Sequence, residues 1–293
     1  MKAQPLIDVE NVLGECACWS PREQAFWWVD IEAQRLHRFV LGTSCLDQWP
    51  MPEKIAAVAV CEDPRYMLVG LASRLAFLEK SSARLLPICA VDAGAPTRVN
   101  DCTLDRSGQF VFGTQDEGAP QGSRGAYFRL RADLRLERLS LPAAHITNAL
   151  SVSPDGATLY FTDTPTRVVR CCAYRADADV GPVRDFVHLG DAPGNPDGAT
   201  VDAEGGVWNA HYGAGQVVRY DAHGRETLRI EVDAQNVTCV AFGGETLDTL
   251  FITTARQGMD AQALQSQPAA GRVFTACPGV RGLADTPFRG VPA

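Results

Sequence analysis

Four side chains that carry oxygen donors occur along the chain, each at the start of a short apolar segment. They are Glu15, Asn100, Asn148 and Asp197. Carboxylate and amide oxygens are the ligands that Ca²⁺, Mg²⁺ and Mn²⁺ prefer in proteins, and two carboxylates balance the charge of one dication. If the fold brings these residues together, they would form a site for a divalent metal.

The segments that begin at these positions are copies of one repeated unit. NALSVSPDG, DGATVDAEG and NDCTLDRSG each form a strand-like run that ends in an Asp, Ser or Gly turn. A second and a third apolar run follow each of them. The six copies, of which the one at Ala56 is weak in pattern, begin 40 to 49 residues apart at Glu15, Ala56, Asn100, Asn148, Asp197 and Val237.

A period of 40 to 50 residues with three or four strands per unit is typical of propeller blades. We therefore predict an all-β fold, a six-bladed β-propeller forming a single domain over residues 1–293, in which the segment from Leu6 to Val12 adds a strand to the last blade. A β-solenoid is the alternative, but its repeats are shorter. Because the first strand of each blade lines the central channel, the six starting residues are expected around the mouth of that channel.

Each polar residue taken alone has a simpler explanation. Asn, Asp and Gly are common before strands as ordinary turn residues. Glu15 is harder to explain in this way, because glutamate is a poor turn residue and Gly14 already supplies the turn. The functional interpretation therefore depends on the register that several repeats share.

Further polar residues lie close to these positions in the repeats. Arg98, two residues before Asn100, could hold a substrate hydroxyl or stabilise developing negative charge, and a surface salt bridge is the alternative. The loop QDEGAPQGSR, from Gln115 to Arg124, is longer and richer in glycine than the matching turns, so we expect it to select the substrate. His145 and His211 could also approach the channel, although a structural role is the simpler interpretation.

Composition narrows the functional classes. A net charge of −8 and a pI near 5.2 argue against nucleic-acid partners and against adsorption to an anionic membrane.

The longest apolar run, from Ile55 to Cys61, is too short to span a bilayer. The first residues, MKAQPLIDVE, lack an apolar signal region, so we expect a cytoplasmic protein, either a monomer or a small homo-oligomer. The ten cysteines contain no CxxC pair and are expected to be reduced.

Several short motifs occur in a fixed order along the chain: Gly14-Glu15 with Trp19, Arg98-Val99-Asn100-Asp101, Ile146-Thr147-Asn148, Asn195-Pro196-Asp197-Gly198 and Arg219-Tyr220-Asp221. A tail motif, FITTAR at 251–256, precedes Gln267-Pro268. With these motifs the chain resembles, over essentially its whole length, the SMP-30/gluconolactonase/regucalcin family of metal-dependent sugar lactonases.

The resemblance implies the positions of the site residues. The metal ligands of the family fall on Glu15, Asn148 and Asp197, and its substrate-binding residues fall on Arg98 and Asn100. Asp197 is also the implied general base. The implied cofactor is one divalent ion, Ca²⁺, Zn²⁺, Mg²⁺ or Mn²⁺, and the implied partner is a small-molecule sugar lactone.

One loop departs from the family pattern. The family carries a GT-x-x-E-E stretch, which corresponds here to Gly113 to Gly118, so its first glutamate matches Glu117 and its second position is Gly118. Glu117 is therefore the predicted substrate contact in this loop. The departure argues against transferring the substrate of any one relative.

The implied reaction is hydrolysis of a pentono- or hexonolactone by water. The sequence contains no Gly-x-Ser-x-Gly elbow that would indicate a serine nucleophile. Two alternatives remain open from the sequence: a related propeller hydrolase of organophosphates or aryl esters, and a non-catalytic calcium-binding propeller.

Overall fold

The structure is a computed structural model that describes residues 1–292, so Ala293, the last residue of the predicted domain, lies outside the described residues. The described chain is almost entirely β-structure, with one short α-helix, α1 (Ala261–Ser266), and one 3-10 turn at Thr164–Thr166. Its strands are β1 (Gln4–Ile7), β2 (Gly14–Ser20), β3 (Ala25–Asp30), β4 (Arg35–Val40), β5 (Cys45–Pro50), β6 (Ile55–Val60), β7 (Tyr66–Leu71), β8 (Arg74–Glu79), β9 (Arg84–Ala90), β10 (Thr97–Leu104), β11 (Phe110–Asp116), β12 (Tyr127–Leu130), β13 (Leu136–Arg138), β14 (Thr147–Val152), β15 (Thr158–Asp163), β16 (Val168–Ala173), β17 (Val183–His188), β18 (Asn195–Val201), β19 (Val207–Tyr212), β20 (Gln216–Tyr220), β21 (Glu226–Glu231), β22 (Val237–Gly243), β23 (Thr249–Thr254) and β24 (Val273–Ala276).

These strands form six four-stranded antiparallel sheets, numbered here in chain order. The first five are built from consecutive strands, β2–β5, β6–β9, β10–β13, β14–β17 and β18–β21. The sixth contains β22, β23, β24 and β1. Short Asp- and Gly-containing turns connect neighbouring strands, as the repeat pattern predicts. The predicted fold class, a six-bladed β-propeller, is confirmed, each sheet being one blade.

Two compact units share the six sheets equally. The first unit comprises residues 1–54 and 189–284 and holds the first, fifth and sixth sheets. The second unit comprises residues 55–188 and 285–292 and holds the second, third and fourth sheets. In both units the inner strands are buried because neighbouring sheets of the same unit pack face to face. Strands β3, β6 and β7, for example, are buried over their whole length.

Aromatic side chains fill the contact between the first and sixth sheets of the first unit. The rings of Phe26 and Phe251 stack with their centroids 4.7 Å apart. Trp19 stacks on Phe251 at 5.4 Å, and Phe26 also stacks on Trp28 at 5.3 Å. Trp208 of the fifth sheet contacts the sixth sheet edge to face and is fully buried. Trp19 and Trp208 therefore pack between sheets.

The second unit has an equivalent core between its third and fourth sheets. Tyr127 of β12 packs edge to face on Phe161 of β15, with centroids 5.2 Å apart. Its hydroxyl donates a hydrogen bond to the Thr162 carbonyl at 2.8 Å, which satisfies the polar end of a buried ring. The third and fourth sheets are thus joined by both apolar and polar contacts.

The N-terminal strand completes the sixth sheet. Strand β1 pairs antiparallel with β24, with Gln4 opposite Thr275 and Ile7 opposite Val273. The strand begins two residues before the predicted segment, Leu6 to Val12, and shares only Leu6 and Ile7 with it. The prediction relied on apolar character alone, and the exposed polar start of this edge strand carries no alternation signal. In residues 1–292, none of the helical segments has the length and apolarity needed to span a bilayer.

His37 on β4 gives the fold a pH-sensitive position. Its ring stacks on Trp28 at 4.7 Å with an interplanar angle of 6°, and Gln48 donates to its Nδ1 at 3.3 Å. Its Nε2 is buried without a hydrogen-bond partner among the described residues. Burial lowers the pKa of His37 to about 4. The imidazole is therefore neutral in the folded protein at neutral pH.

We predict that His37 contributes stability that is present above its unfolded-state pKa of about 6.5 and is lost as the pH falls towards 4. The loss should reach about 2–3 kcal/mol of unfolding free energy, at about 1.4 kcal/mol per pKa unit. Denaturant unfolding at pH 7 and pH 4.5 measures it. A His37→Phe variant should lose less stability between these two pH values than the wild type, and equal losses would contradict the prediction.

Candidate metal and substrate site

The first strand of every sheet contains a β-bulge at the position that the repeats singled out. In each sheet the pairing of the first and second strands shifts by an extra residue at this point. Bulges redirect side chains away from the regular alternation of a strand. The residues that flank or occupy the six bulges are Glu15, Ala56, Asn100, Asn148, Asp197 and Val237.

Two of these bulges contain a residue in the left-handed region. Cys16 follows Glu15 with a φ of 50°, and Ala149 follows Asn148 with a φ of 57°. Neither is a glycine, so each conformation costs on the order of 1–3 kcal/mol. The surrounding structure must therefore hold these two residues in place.

Asp101 supports the bulge at Ala149. This buried carboxylate accepts hydrogen bonds from the backbone N–H of Cys102 and from that of Leu150, both at 2.8 Å. It therefore links the bulge of β10 to the bulge of β14 in the neighbouring sheet. Burial raises the pKa of Asp101 to about 7, although the two backbone donors oppose the shift. In the sequence, Asp101 stands out only as part of a motif, without a role of its own.

Arg98 gathers three polar side chains around its guanidinium. It lies directly opposite Gln115 in the β10–β11 pair and donates to Gln115 Oε1 at 2.8 Å. It also donates to Asn100 Oδ1 at 2.7 Å, in the bulge of β10, and to Glu117 Oε1 at 3.0 Å, just beyond the end of β11.

The cluster continues to the fourth sheet through two side-chain amides. Asn100 donates through Nδ2 to the Thr147 carbonyl at 2.8 Å and to Asn148 Oδ1 at 3.1 Å. Asn148 in turn donates through Nδ2 to Thr164 Oγ1 at 2.9 Å. These contacts fix the orientation of both amides, and the carbonyl oxygen of Asn148 keeps capacity for a second interaction, since such an oxygen has two lone pairs.

The two predicted carboxylate ligands lie in the first unit. Asp197 is buried and Glu15 is half-buried. Both influence Tyr212, whose pKa is raised to about 12 by burial first and then by the negative charges of Asp197 and Glu15. The two carboxylates thus act on one phenol. The fully buried Asn209 holds the bulge at Asp197, because its Nδ2 donates to the Asp197 carbonyl at 2.7 Å.

The loop that follows β11 is organised around one buried carboxylate. Asp116 accepts hydrogen bonds from the N–H groups of Gly118 at 2.7 Å and Gly122 at 2.9 Å. It also pairs with Arg124 Nη1 at 2.8 Å, where the carboxylate is fully buried. The arginine guanidinium occupies the space next to Gly118 that a side chain at position 118 would need. The extended loop therefore closes around Asp116, and a side chain at position 118 would require Arg124 to move.

The two histidines occupy different environments. His145 is half-buried, and its Nδ1 lies 3.0 Å from Ser123 Oγ and 3.3 Å from Asp163 Oδ2, so it links the loop to the fourth sheet. His211 is buried within the fifth sheet, where it contacts Gln216 at 3.0 Å and Tyr220 at 3.1 Å. These contacts fit the simpler, structural interpretation of His211.

Comparison with known proteins extends these observations. The family model described as "SMP-30/Gluconolactonase/LRE-like region" matches residues 13–256. The chain is 45% identical over 292 residues to L-arabinolactonase of Azospirillum brasilense, covering 99% of this chain and 97% of that one. It is 34% identical over 284 residues to pentonolactonase XacC of Haloferax volcanii, covering 92% and 91% of the two chains.

Solved structures give the same result for the fold. The structure of a calcium-binding protein, regucalcin, from Agrobacterium tumefaciens superposes with a TM-score of 0.93 at 28% identity, covering 98% of this chain and 97% of that one. A match of this extent covers all six sheets.

Asp163 and Asp30 end the second strands of their sheets and hold the backbone that leads to the predicted ligands. Asp163 accepts hydrogen bonds from the N–H groups of His145 at 2.9 Å and Ile146 at 3.0 Å, just before Asn148. Asp30 accepts from Val12 at 2.8 Å and from Leu13 at 3.1 Å, just before Glu15. An aspartate at the end of a second strand is a sequence signal that could have identified both.

We predict that Asp163→Ala lowers the free energy of unfolding by about 2–4 kcal/mol, because two backbone donors lose a charged acceptor. Asp185→Ala is the matched control. Asp185 is an exposed aspartate that pairs with Arg170 at 3.2 Å, and its loss should cost at most about 1 kcal/mol. Urea unfolding of the two variants measures the difference. Equal destabilisation would show that Asp163 does not hold this backbone.

Proposed function

The chain belongs to the SMP-30/gluconolactonase/LRE-like family, and on that premise we propose that it is a divalent-metal-dependent hydrolase that opens the lactone ring of a sugar acid to give the free aldonate. The substrate class is an aldonolactone, of the pentono- or hexonolactone type. The observation that carries the proposal is the 45% identity to an L-arabinolactonase over nearly the whole of both chains. The polar cluster around Arg98 and Asn148 supports it independently.

The residues proposed to hold the metal are Glu15, Asn148 and Asp197. Two carboxylates and one amide are a hard-oxygen donor set suited to Ca²⁺, Mg²⁺, Mn²⁺ or Zn²⁺. Within residues 1–292 no group of three or more His, Cys, Asp or Glu side chains could hold a metal ion. The proposed set is of a different kind, since it contains only two acids and its third member is an amide. The hydrogen bond from Asn100 orients the amide of Asn148 for the role. When bound, the dication would supply a positive charge that polarises the lactone carbonyl.

The other steps belong to side chains of the protein. Asp197 is proposed as the general base that takes a proton from the attacking water. The water oxygen bonds to the carbonyl carbon, the bond from that carbon to the ring oxygen breaks, and the ring oxygen leaves as a hydroxyl after taking up a proton. The products are the hydroxyl and carboxylate ends of one aldonate. No covalent intermediate with the protein is needed.

Arg98, Asn100 and Glu117 are proposed to bind and orient the sugar. The guanidinium of Arg98 is buried, with 5% of its side chain exposed, whereas the carboxylate of Glu117 is 40% exposed. Arg98 therefore supplies a buried positive charge and orients Glu117 and Asn100 by hydrogen bonds. Glu117 and Asn100 are themselves more accessible to a ligand. Preorganised groups of this kind lower the cost of ordering the site during the reaction.

Removing the metal tests the proposal directly. We expect metal-stripped protein to hydrolyse no aldonolactone and to regain activity when Ca²⁺, Mg²⁺, Mn²⁺ or Zn²⁺ is restored. A pH indicator follows the acid released from glucono-, galactono-, xylono- and arabinonolactones in both ring sizes. Turnover of an aryl ester or an organophosphate without lactone turnover would favour the related hydrolase reaction. Metal binding without any turnover would favour a non-catalytic calcium-binding propeller.

We predict that Asp197→Ala lowers kcat for the best lactone by at least about 100-fold, the usual loss for a general base. Calorimetric titration with the metal should also give weaker binding, since a charged ligand is lost. Asp191→Ala, at an exposed aspartate in the turn before β18, is the control and should leave both quantities unchanged. A folded Asp197→Ala variant with wild-type kcat would exclude Asp197 as the base.

A further inference from the structure

Gln115 lies in the polar cluster, and the sequence singled it out only as the first residue of the loop expected to select the substrate, with no role of its own. It is the cross-strand partner of Arg98 in the β10–β11 pair. It is half-buried and lies near the end of β11, opposite the start of β10. Residue 115 also forms a β-bridge with Ile146, on the segment that leads to Asn148. Its side chain is therefore positioned by both neighbouring segments of the site.

The contact with Arg98 fixes which end of the Gln115 amide is available. A guanidinium only donates hydrogen bonds, so the Gln115 atom that lies 2.8 Å from Arg98 Nη2 must be the carbonyl oxygen Oε1. The amide nitrogen Nε2 then points away from Arg98. It has no hydrogen-bond acceptor among residues 1–292, and the half-buried side chain leaves it accessible to a ligand. Gln115 thus presents two N–H donors at the site.

Glu117 complements this donor. It follows Gln115 by two residues, and its carboxylate also contacts Arg98, accepting from Nε at 3.0 Å. An amide donor next to a carboxylate acceptor matches a sugar hydroxyl, which both accepts and donates. At position 118 the space is taken by Arg124 in its pair with Asp116. Polar recognition on this side of the site therefore comes from Gln115 and Glu117.

We propose that Gln115 is a specificity-determining residue, whose Nε2 donates a hydrogen bond to one hydroxyl oxygen of the sugar lactone while Arg98 holds its Oε1. This inference rests on the proposed function and goes beyond it by naming how one hydroxyl is recognised. A site built to pair with a substrate hydroxyl discriminates strongly against a substrate that lacks it. The hydroxyl recognised by Gln115 should therefore be one whose removal costs the enzyme most.

Two variants separate substrate recognition from support of Arg98. Gln115→Glu keeps an oxygen acceptor for Arg98 and removes the N–H donors, whereas Gln115→Met removes both. If Gln115 contacts the substrate, both variants should raise KM about tenfold with less than a threefold change in kcat. If it only supports Arg98, Gln115→Glu should keep the wild-type KM, and the inference would be wrong. Gln48→Glu is the matched control, since Gln48 also accepts from an arginine, Arg35 at 3.3 Å, but is exposed on β5.

A set of monodeoxy lactones identifies the hydroxyl. For the lactone that lacks the recognised hydroxyl, the wild type and Gln115→Glu should have equal kcat/KM, whereas for the others the variant should remain about tenfold lower. A loss of the same size for every deoxy lactone would overturn the inference, because the variant would then act through general disruption. If the wild type hydrolyses no lactone, the proposed function fails and this inference fails with it. An active wild type with an unaffected Gln115→Glu variant removes this inference alone.

Discussion

The β-bulge in the first strand of each sheet is the constraint on which the site depends. Pairing between the first and second strands is regular on both sides of the bulge and interrupted within it, so backbone N–H groups there lose their ladder partners. Buried polar side chains must replace those partners. The carboxylate of Asp101 accepts a hydrogen bond from the N–H of Leu150, and the amide of Asn209 donates one to the carbonyl of Asp197. The residues that present the ligands are therefore held by others that never need to touch the substrate.

The two units carry opposite charges at their predicted site residues. In the second unit the buried guanidinium of Arg98 is surrounded by acceptors from Asn100, Gln115 and Glu117, so its charge is paired as a buried charge must be. In the first unit, Glu15 and Asp197 bring two negative charges towards the phenol of Tyr212.

The sequence predicted the architecture well because each repeat is local. A strand, an Asp- or Gly-containing turn and a second strand lie within about twenty residues, so turn chemistry and alternation identify them. The same repeats also identified the bulge positions at Glu15, Asn148 and Asp197. The supporting residues could not be found in this way. Asp101 bonds to a residue 49 positions away, and such partners become visible only when the sheets are packed.

The loop after β11 shows what a sequence motif leaves out about one residue. Glu117, which matches the first family glutamate, accepts a hydrogen bond from Arg98. Gly118 looks like a lost contact in the sequence, but in the structure its N–H binds Asp116 and its missing side chain leaves room for Arg124. A side chain at position 118 would require the Arg124 guanidinium to move away from its present place beside Asp116. The glycine is therefore tied to the way this loop closes, which the motif alone does not reveal.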